Sequence, residues 1–106
     1  MSTTDAQVAY LDHDNTIEMV LKSDGLAVDL TPVSRMVLSS AGQVIADSDL
    51  NAGVFDWSAG SGNLVIALGG LSLPLHREYK NSRLVVYDPT NINGIVWADD
   101  VLIKIK

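Results

Sequence analysis

Hydrophobic and polar residues alternate with period two along most of the chain, and no stretch sustains the i, i+3, i+4, i+7 stripe of an amphipathic helix. The pattern predicts an all-β protein. In "NTIEMVLK", Ile17, Met19 and Leu21 share one face while Glu18 and Lys22 share the other, as in a strand with one side buried. "SDG" (23–25) offers a tight turn, after which "LAVDL" runs back until "TP" ends it, because Pro32 has no N–H for a ladder. In "VSRMVLSS", Met36 and Leu38 face one way and Arg35 and Val37 the other, which predicts a strand covered on both faces or lying at a contact surface. "SAG" (40–42) turns the chain into "QVIAD".

Further on, "VFDW" reads as a short strand, "SAGSGN" (58–63) as a turn and "LVIAL" as a nearly all-apolar central strand. "GGLSLPLHREYKN", with Gly69, Gly70 and Pro74, is the least regular segment and reads as the long crossover of a Greek key. "SRLVVYD" and "GIVWADDVLIKIK" form a last pair joined by "PTNIN", with Val101, Ile103 and Ile105 pointing inward. About seven or eight short strands with frequent turn signals predict an immunoglobulin-like Greek-key β-sandwich, with a small β-barrel as the competing architecture. Residues 1–14 read as a flexible N-terminal arm and residues 15–106 as one β-sandwich domain.

Composition narrows the classes. A chain of 106 residues that is 47% hydrophobic and 19% charged can bury one core and is far from a disordered composition. There is no cysteine, so disulfides and thiolate metal sites are excluded. The net charge of −6 and the scatter of the seven basic residues argue against binding to nucleic-acid backbones. No apolar run approaches the roughly 18 residues of a membrane span, and the start lacks the basic and apolar regions of a secretory signal. The expectation is a soluble protein made in the cytoplasm, with neither nucleic acid nor membrane as partner.

Candidate chemistry is sparse. "DSDLNAGVFDW" (47–57) carries oxygen side chains at Asp47, Asp49 and Asn51, like the first half of an EF-hand loop. Ala52 stands where that loop needs glycine, and Ser58 where it needs glutamate. A calcium loop of a β-sandwich type could use Asp47, Asp49 and Asp56, but the same residue types fill any loop between strands, and the plain loop is the preferred reading. In "LDHDN", His13 and the carboxylates of Asp12 and Asp14 would project to opposite sides of an extended chain, and His76 is distant in sequence. "GSG" (60–62) lacks a nucleophile elbow, and no phosphate-binding glycine motif occurs, so an enzyme is not expected and no cofactor is called for. Among the aromatics, Phe55 and Trp57 share a face. Tyr10, Trp57, Tyr87 and Trp97 are the interface candidates, Tyr87 because it is out of phase with Leu84 and Val86.

The succession "NTIEMVLKSDGLAVDLT…VSRMVLS", "GQVIADS" and "RLVVYDP…GIVWADDVLIKI" resembles small virion proteins of tailed bacteriophages, in particular the N-terminal immunoglobulin-like domain of the upper baseplate protein of lactococcal phages. The "REYKNSR" approach to Leu84 is longer than that scheme and predicts a bulge. The resemblance implies a non-enzymatic structural protein of the virion (tail, baseplate or head surface), an assembly or attachment module that contacts other virion proteins and forms a homo-oligomer. In that setting "MSTTDAQVAYLDHDN" would be an arm that orders on a neighbour. The alternatives are a phage-encoded inhibitor of a host defence system and a calcium-dependent ligand-binding module.

Overall fold

The computed structural model describes residues 7–106 apart from 24, 28, 52 and 58–61. Among these residues the alternating segments become ten strands and no helix: β1 (Gln7–Ala9), β2 (Ile17–Val20), β3 (Lys22–Ser23), β4 (Leu26–Ala27), β5 (Arg35–Ser40), β6 (Gln43–Asp47), β7 (Phe55–Trp57), β8 (Asn63–Ile66), β9 (Glu78–Tyr87) and β10 (Ile95–Ile105). Five of them form a sheet in the order β1-β10-β9-β5-β6, three form a sheet in the order β2-β8-β7, and β3 with β4 makes a separate two-stranded hairpin.

The turns follow local chemistry. Ser40 pairs with Gln43, so β5 and β6 are joined by two residues, Ala41 (φ 49°) and Gly42 (φ 82°). Positive φ at both central positions matches the right-handed twist of the flanking strands, and glycine takes it without steric cost. The predicted turn at 58–63 falls mostly outside the described residues; Gly62 at its end accepts a hydrogen bond from the Leu21 N–H at 2.8 Å.

Alternation sets which side chains meet. In the three-stranded sheet the inward rows are Ile17–Ile66–Phe55 and Met19–Leu64–Trp57. In the five-stranded sheet they are Met36–Val86–Ile95 and Ala46–Leu38–Leu84–Ala98. Residues from both sheets, among them Ile17, Phe55, Leu64, Ile66, Met36, Leu38, Leu84, Val86, Val101 and Ile103, join one buried cluster. Two sheets facing each other across one core give a β-sandwich-like arrangement. Their strands do not close into a continuous barrel. The Cα radius of gyration, 13.1 Å, is that of a compact body of about 100 residues.

The β9–β10 pair carries three register shifts. Near the start of β9, Tyr79 and Ser82 oppose Ile103 and Val101, so one strand spends an extra residue there, and Asn81 takes a φ of 54°. This is the bulge expected of "REYKNSR". Two buried serines satisfy the disturbed ladder: the Ser40 hydroxyl donates to the Lys80 carbonyl at 2.6 Å and the Ser82 hydroxyl to the Tyr79 carbonyl at 3.2 Å. The crossover therefore ends earlier than expected, with Glu78–Asn81 already in the strand.

The expected domain boundary at residue 15 moves toward the N-terminus. Residues 1–6 lie outside the described residues, but Gln7, Val8 and Ala9 pair in parallel with Ile103, Lys104 and Ile105. The Leu11 N–H then donates to the Lys106 carbonyl at 3.0 Å and the Asp12 N–H to the Gly69 carbonyl at 2.9 Å. Residues 7–12 belong to the sandwich rather than to an arm outside it, because the buried Ala9 and these ladder bonds are made within the chain.

Candidate functional site

The outward side of the five-stranded sheet is the least ordinary surface of the molecule. Residues directly opposite in an antiparallel ladder point to the same side. Val96 opposes Val85, Val85 opposes Val37, and Val37 opposes Asp47, giving one row across four strands. On one side of that row Tyr87 opposes Arg35; on the other Arg83 opposes Ser39, which opposes Val44. Val44 and Val96 are exposed at 53% and 48%, whereas Val37 is buried although it points outward.

Val37 is covered because Arg35 and Asp47 close over the sheet. The Arg35 Nε–H donates to Asp47 Oδ1 at 3.0 Å, and its Nη2 donates to Asp47 Oδ2. The guanidinium lies over the Tyr87 ring, 5.2 Å from the centroid. It also approaches Asp49 Oδ2 at 3.5 Å. Hydrogen bonding to Arg35 holds the Asp47 carboxyl below the usual carboxylate range, overcoming the upward push of burial. Asp47 in turn raises the pKa of Arg35. A second pair, Arg83 Nε to Asp99 Oδ1 at 3.2 Å, sits on the far side of the valine row.

The loop after β6 is built around the same carboxylate. Asp47 Oδ1 also accepts the Asp49 N–H at 3.0 Å, while Asn51 Oδ1 accepts the Asp47 N–H at 3.0 Å. Ser48 extends the β5 ladder with its hydroxyl, which accepts the Met36 N–H at 2.9 Å. The alternating oxygens of this segment are thus turn and ladder partners. Of the weak metal candidates, Asp47 is buried against a guanidinium with Asp49 beside it, whereas Asp56 lies on β7, on the exposed side of the other sheet. Among the described residues no group of three acidic or histidine side chains could hold a metal ion.

Next to Tyr87 an open cleft of about 430 Å³ is lined by Ser34, Arg35, Asp49, Tyr87, Asp88 and Ile92. Its rim is the 88–94 loop. The Asn91 side-chain amide donates to both Asp88 carboxylate oxygens at 3.1 Å, and Asp88 Oδ1 also accepts the N–H groups of Asn91 at 2.7 Å and Thr90 at 2.9 Å; these bonds, in that order, lower the Asp88 pKa. The loop closes on Gly94 (φ 82°), where a Cβ would stand 2.4 Å from Val85 Cγ1 and 2.9 Å from Tyr87 Cε1. Only glycine lets the loop lie this close to the outward face.

Of the expected interface residues, Tyr87 belongs to this face, half-buried under Arg35. Trp57 and Trp97 are half-buried against the core cluster, and Tyr10 is exposed at 39% just after β1. Asp12, His13 and Asp14 are exposed in the turn that follows, and His76 is exposed in the crossover, where its N–H donates to the Ile105 carbonyl at 2.8 Å. Arg35, Arg83, Val44, Val85 and Val96 are members of the face that aromatic and metal motifs do not point to. Their signal was the loss of alternation in "RMVL", "RLVV" and "GIVW", where both faces of a strand are apolar. The site defines the protein's class only as an all-β domain with an outward apolar sheet face framed by ion pairs. The chain matches no protein-family model, no curated protein and no solved structure.

Proposed function

We propose that this chain is a non-enzymatic structural protein of a tailed-phage particle, an assembly or attachment module that works through contacts with other virion proteins. The observation that carries this reading is the outward face of the five-stranded sheet, where Val96, Val85 and Val44 remain accessible beside an ordered set of charges. Apolar groups gathered on a flat sheet surface are suited to contact with another protein.

Strand order supports the immunoglobulin-like part of the reading. With β2, β8 and β7 lettered B, E and D, and β5, β6, β9 and β10 lettered C, C′, F and G, the sheets carry the strand sets BED and GFCC′. Among the described residues, and with β1 lying parallel beside G, those are the sets of a variable-type immunoglobulin sandwich without strand A in the first sheet or C″ in the second. The resemblance of the turn chemistry to phage virion domains points to the same setting.

Mass spectrometry of gradient-purified particles tests the proposal. The protein is expected in particles at a fixed ratio to the major virion proteins. Its absence from particles, together with co-purification with a host complex, would replace the structural role by an inhibitory one.

A further inference from the structure

The loop from β9 to β10 contains the pair Asn93–Gly94, the one place in the sequence where an asparagine precedes a glycine. The side-chain carbonyl carbon of an asparagine is open to attack by the backbone nitrogen of the next residue, which is why asparagine counts among the thermolabile residues. The approach is least crowded when that next residue has no Cβ.

The structure sets Asn93 apart from the other asparagines. Asn93 is exposed, in the turn where the Gly94 N–H donates to the Asn91 carbonyl at 3.1 Å. That proton is held by a turn bond in an exposed loop and not by a strand ladder, so solvent base can reach it. Among the described residues no group holds the Asn93 side-chain amide. Asn51, by contrast, gives its Oδ1 to the Asp47 N–H, and Asn91 donates its amide to both Asp88 oxygens. Asn63 and Asn81 lie in β8 and β9, where the residues that follow, Leu64 and Ser82, are buried. Asn15 is followed by the β-branched Thr16, which crowds the approach.

We propose that Asn93 is a self-modification site, converted in the folded protein to aspartate and isoaspartate without an enzyme. The Gly94 nitrogen, after losing its proton to hydroxide, bonds to Asn93 Cγ. The Cγ–Nδ2 bond breaks, and the amide nitrogen takes up a proton from water and leaves as ammonia. Water then opens the resulting succinimide ring. Addition at the side-chain carbonyl restores the ordinary main chain with an aspartate, whereas addition at the main-chain carbonyl leaves the chain running through Cγ as an isoaspartate. Either product exchanges a neutral amide for a carboxylate, one further negative charge on a chain of net charge −6.

The site lies where a change of chain length is felt. Gly94 rests so close to β9 that an added Cβ would stand 2.4 Å from Val85 Cγ1. Isoaspartate lengthens the main chain by a methylene immediately before this contact, and a close-packed seat does not absorb a methylene without displacement. The loop therefore leaves its seat on the outward face in the isoaspartate product and keeps it in the aspartate product.

Ageing the full chain at mildly alkaline pH tests the proposal, with ion exchange to follow charge and peptide mapping by mass spectrometry to locate the change. The folded wild type is expected to yield a more acidic species modified at Asn93, at least about tenfold faster than at any other asparagine, a barrier difference of about 1.4 kcal/mol. The reaction should slow at mildly acidic pH, where hydroxide is scarce. Asn93→Gln, whose longer side chain would have to close a larger ring, is expected to remove the acidic species, and Asn63→Gln, at an exposed position of β8, to leave it. Circular dichroism checks the fold of each variant, and the wild-type map locates the site by itself if Asn93→Gln does not fold. The isoaspartate fraction is expected to melt below the aspartate fraction; equal melting would overturn the displaced loop. A folded wild type that gains no acidic species, that changes first at another asparagine, or that changes at Asn93 only when unfolded in urea overturns the inference.

Discussion

Arg35 reaches diagonally across the β5–β6 ladder to hold Asp47 with two of its nitrogens, while Val37, the residue directly opposite Asp47, is buried beneath them. The pair shields an outward-facing valine, and the same carboxylate starts the loop to β7. Replacing Asp47 by Ala leaves Arg35 able to rehydrate but strips an acceptor from both the guanidinium and the Asp49 N–H. A loss of about 1.5–3 kcal/mol is expected, the range for hydrogen bonds to charged groups. Urea titration measures it, and a midpoint equal to wild type would show that the pair does not stabilise the fold.

Acid should destabilise the protein through the same group. The folded-state pKa values of Asp47, Asp88 and Asp29 are all depressed: by Arg35, by Asn91 and then Thr90, and by Thr31 respectively. A carboxylate of this kind contributes its full stability above its unfolded pKa of about 4, and the contribution is lost as pH falls through the lower folded value. Stability is therefore expected to be flat from neutral pH down to about 5 and to fall below about 4. Thermal melts across this range check the direction, and the acid fall should be shallower in Asp47→Ala.

Gly69 is where the N-terminal segment docks. A Cβ built there would stand 2.1 Å from the His13 carbonyl oxygen and 2.8 Å from that of Tyr10, both backbone atoms that no rotamer change can move aside. Gly69→Ala should cost about 1–3 kcal/mol, in the manner of an overpacked site. Hydrogen exchange should also speed up at the amides of Leu11 and Asp12, which bond to Lys106 and Gly69. Gly70→Ala, with nothing within 4 Å of its Cβ, is the neutral control.

Truncation separates the pairing strand from what precedes it. Removing residues 1–9 deletes β1 and the acceptor of the Lys106 N–H, the Ala9 carbonyl at 2.9 Å. The melting temperature should drop by about 4–8 °C for each kcal/mol lost. Removing residues 1–6 keeps the β1 ladder and should cost less. Equal melting of the two truncated proteins would exclude β1 as a stabilising strand.

Millimolar Ca²⁺ should leave the melting temperature unchanged. A native-state ligand stabilises by mass action, and the Asp47 carboxylate is already committed to Arg35 and to a backbone N–H. A rise of several degrees that EDTA reverses would reinstate the calcium loop.

Most strands were legible because their hydrophobic period and turn residues agree. "QVIAD" is β6 residue for residue, and the serine, alanine and glycine before it supply the turn. The inward set Val101, Ile103 and Ile105 is fully buried as its alternation required. β1 was not legible, because three residues carry almost no periodicity and their partner strand lies at the other end of the chain. Nor was the role of Asp47: sequence spacing suggested ligands, whereas the residue that occupies it, Arg35, is brought near only when the β5–β6 hairpin closes. The outward face was half-visible: "VSRMVLSS" read as a strand covered on both faces or at a contact surface, and "SRLVVYD" with "GIVWADDVLIKIK" as a pair, but nothing in the sequence placed β5 beside β9.

The three register shifts between β9 and β10 bear on how the longest hairpin finds its alignment. A regular pair can slide by two residues and keep every side chain on its proper face, so alternation alone tolerates misregistered versions of itself. Here a slide would carry the extra residue that β9 spends at Asn81, which adopts positive φ, away from the Val101–Ile103 step it now faces, and would leave the irregular steps of the two strands unmatched. Slipped hairpins would thus bury polar backbone without partners, and the irregularities act as a gauge that only one alignment passes.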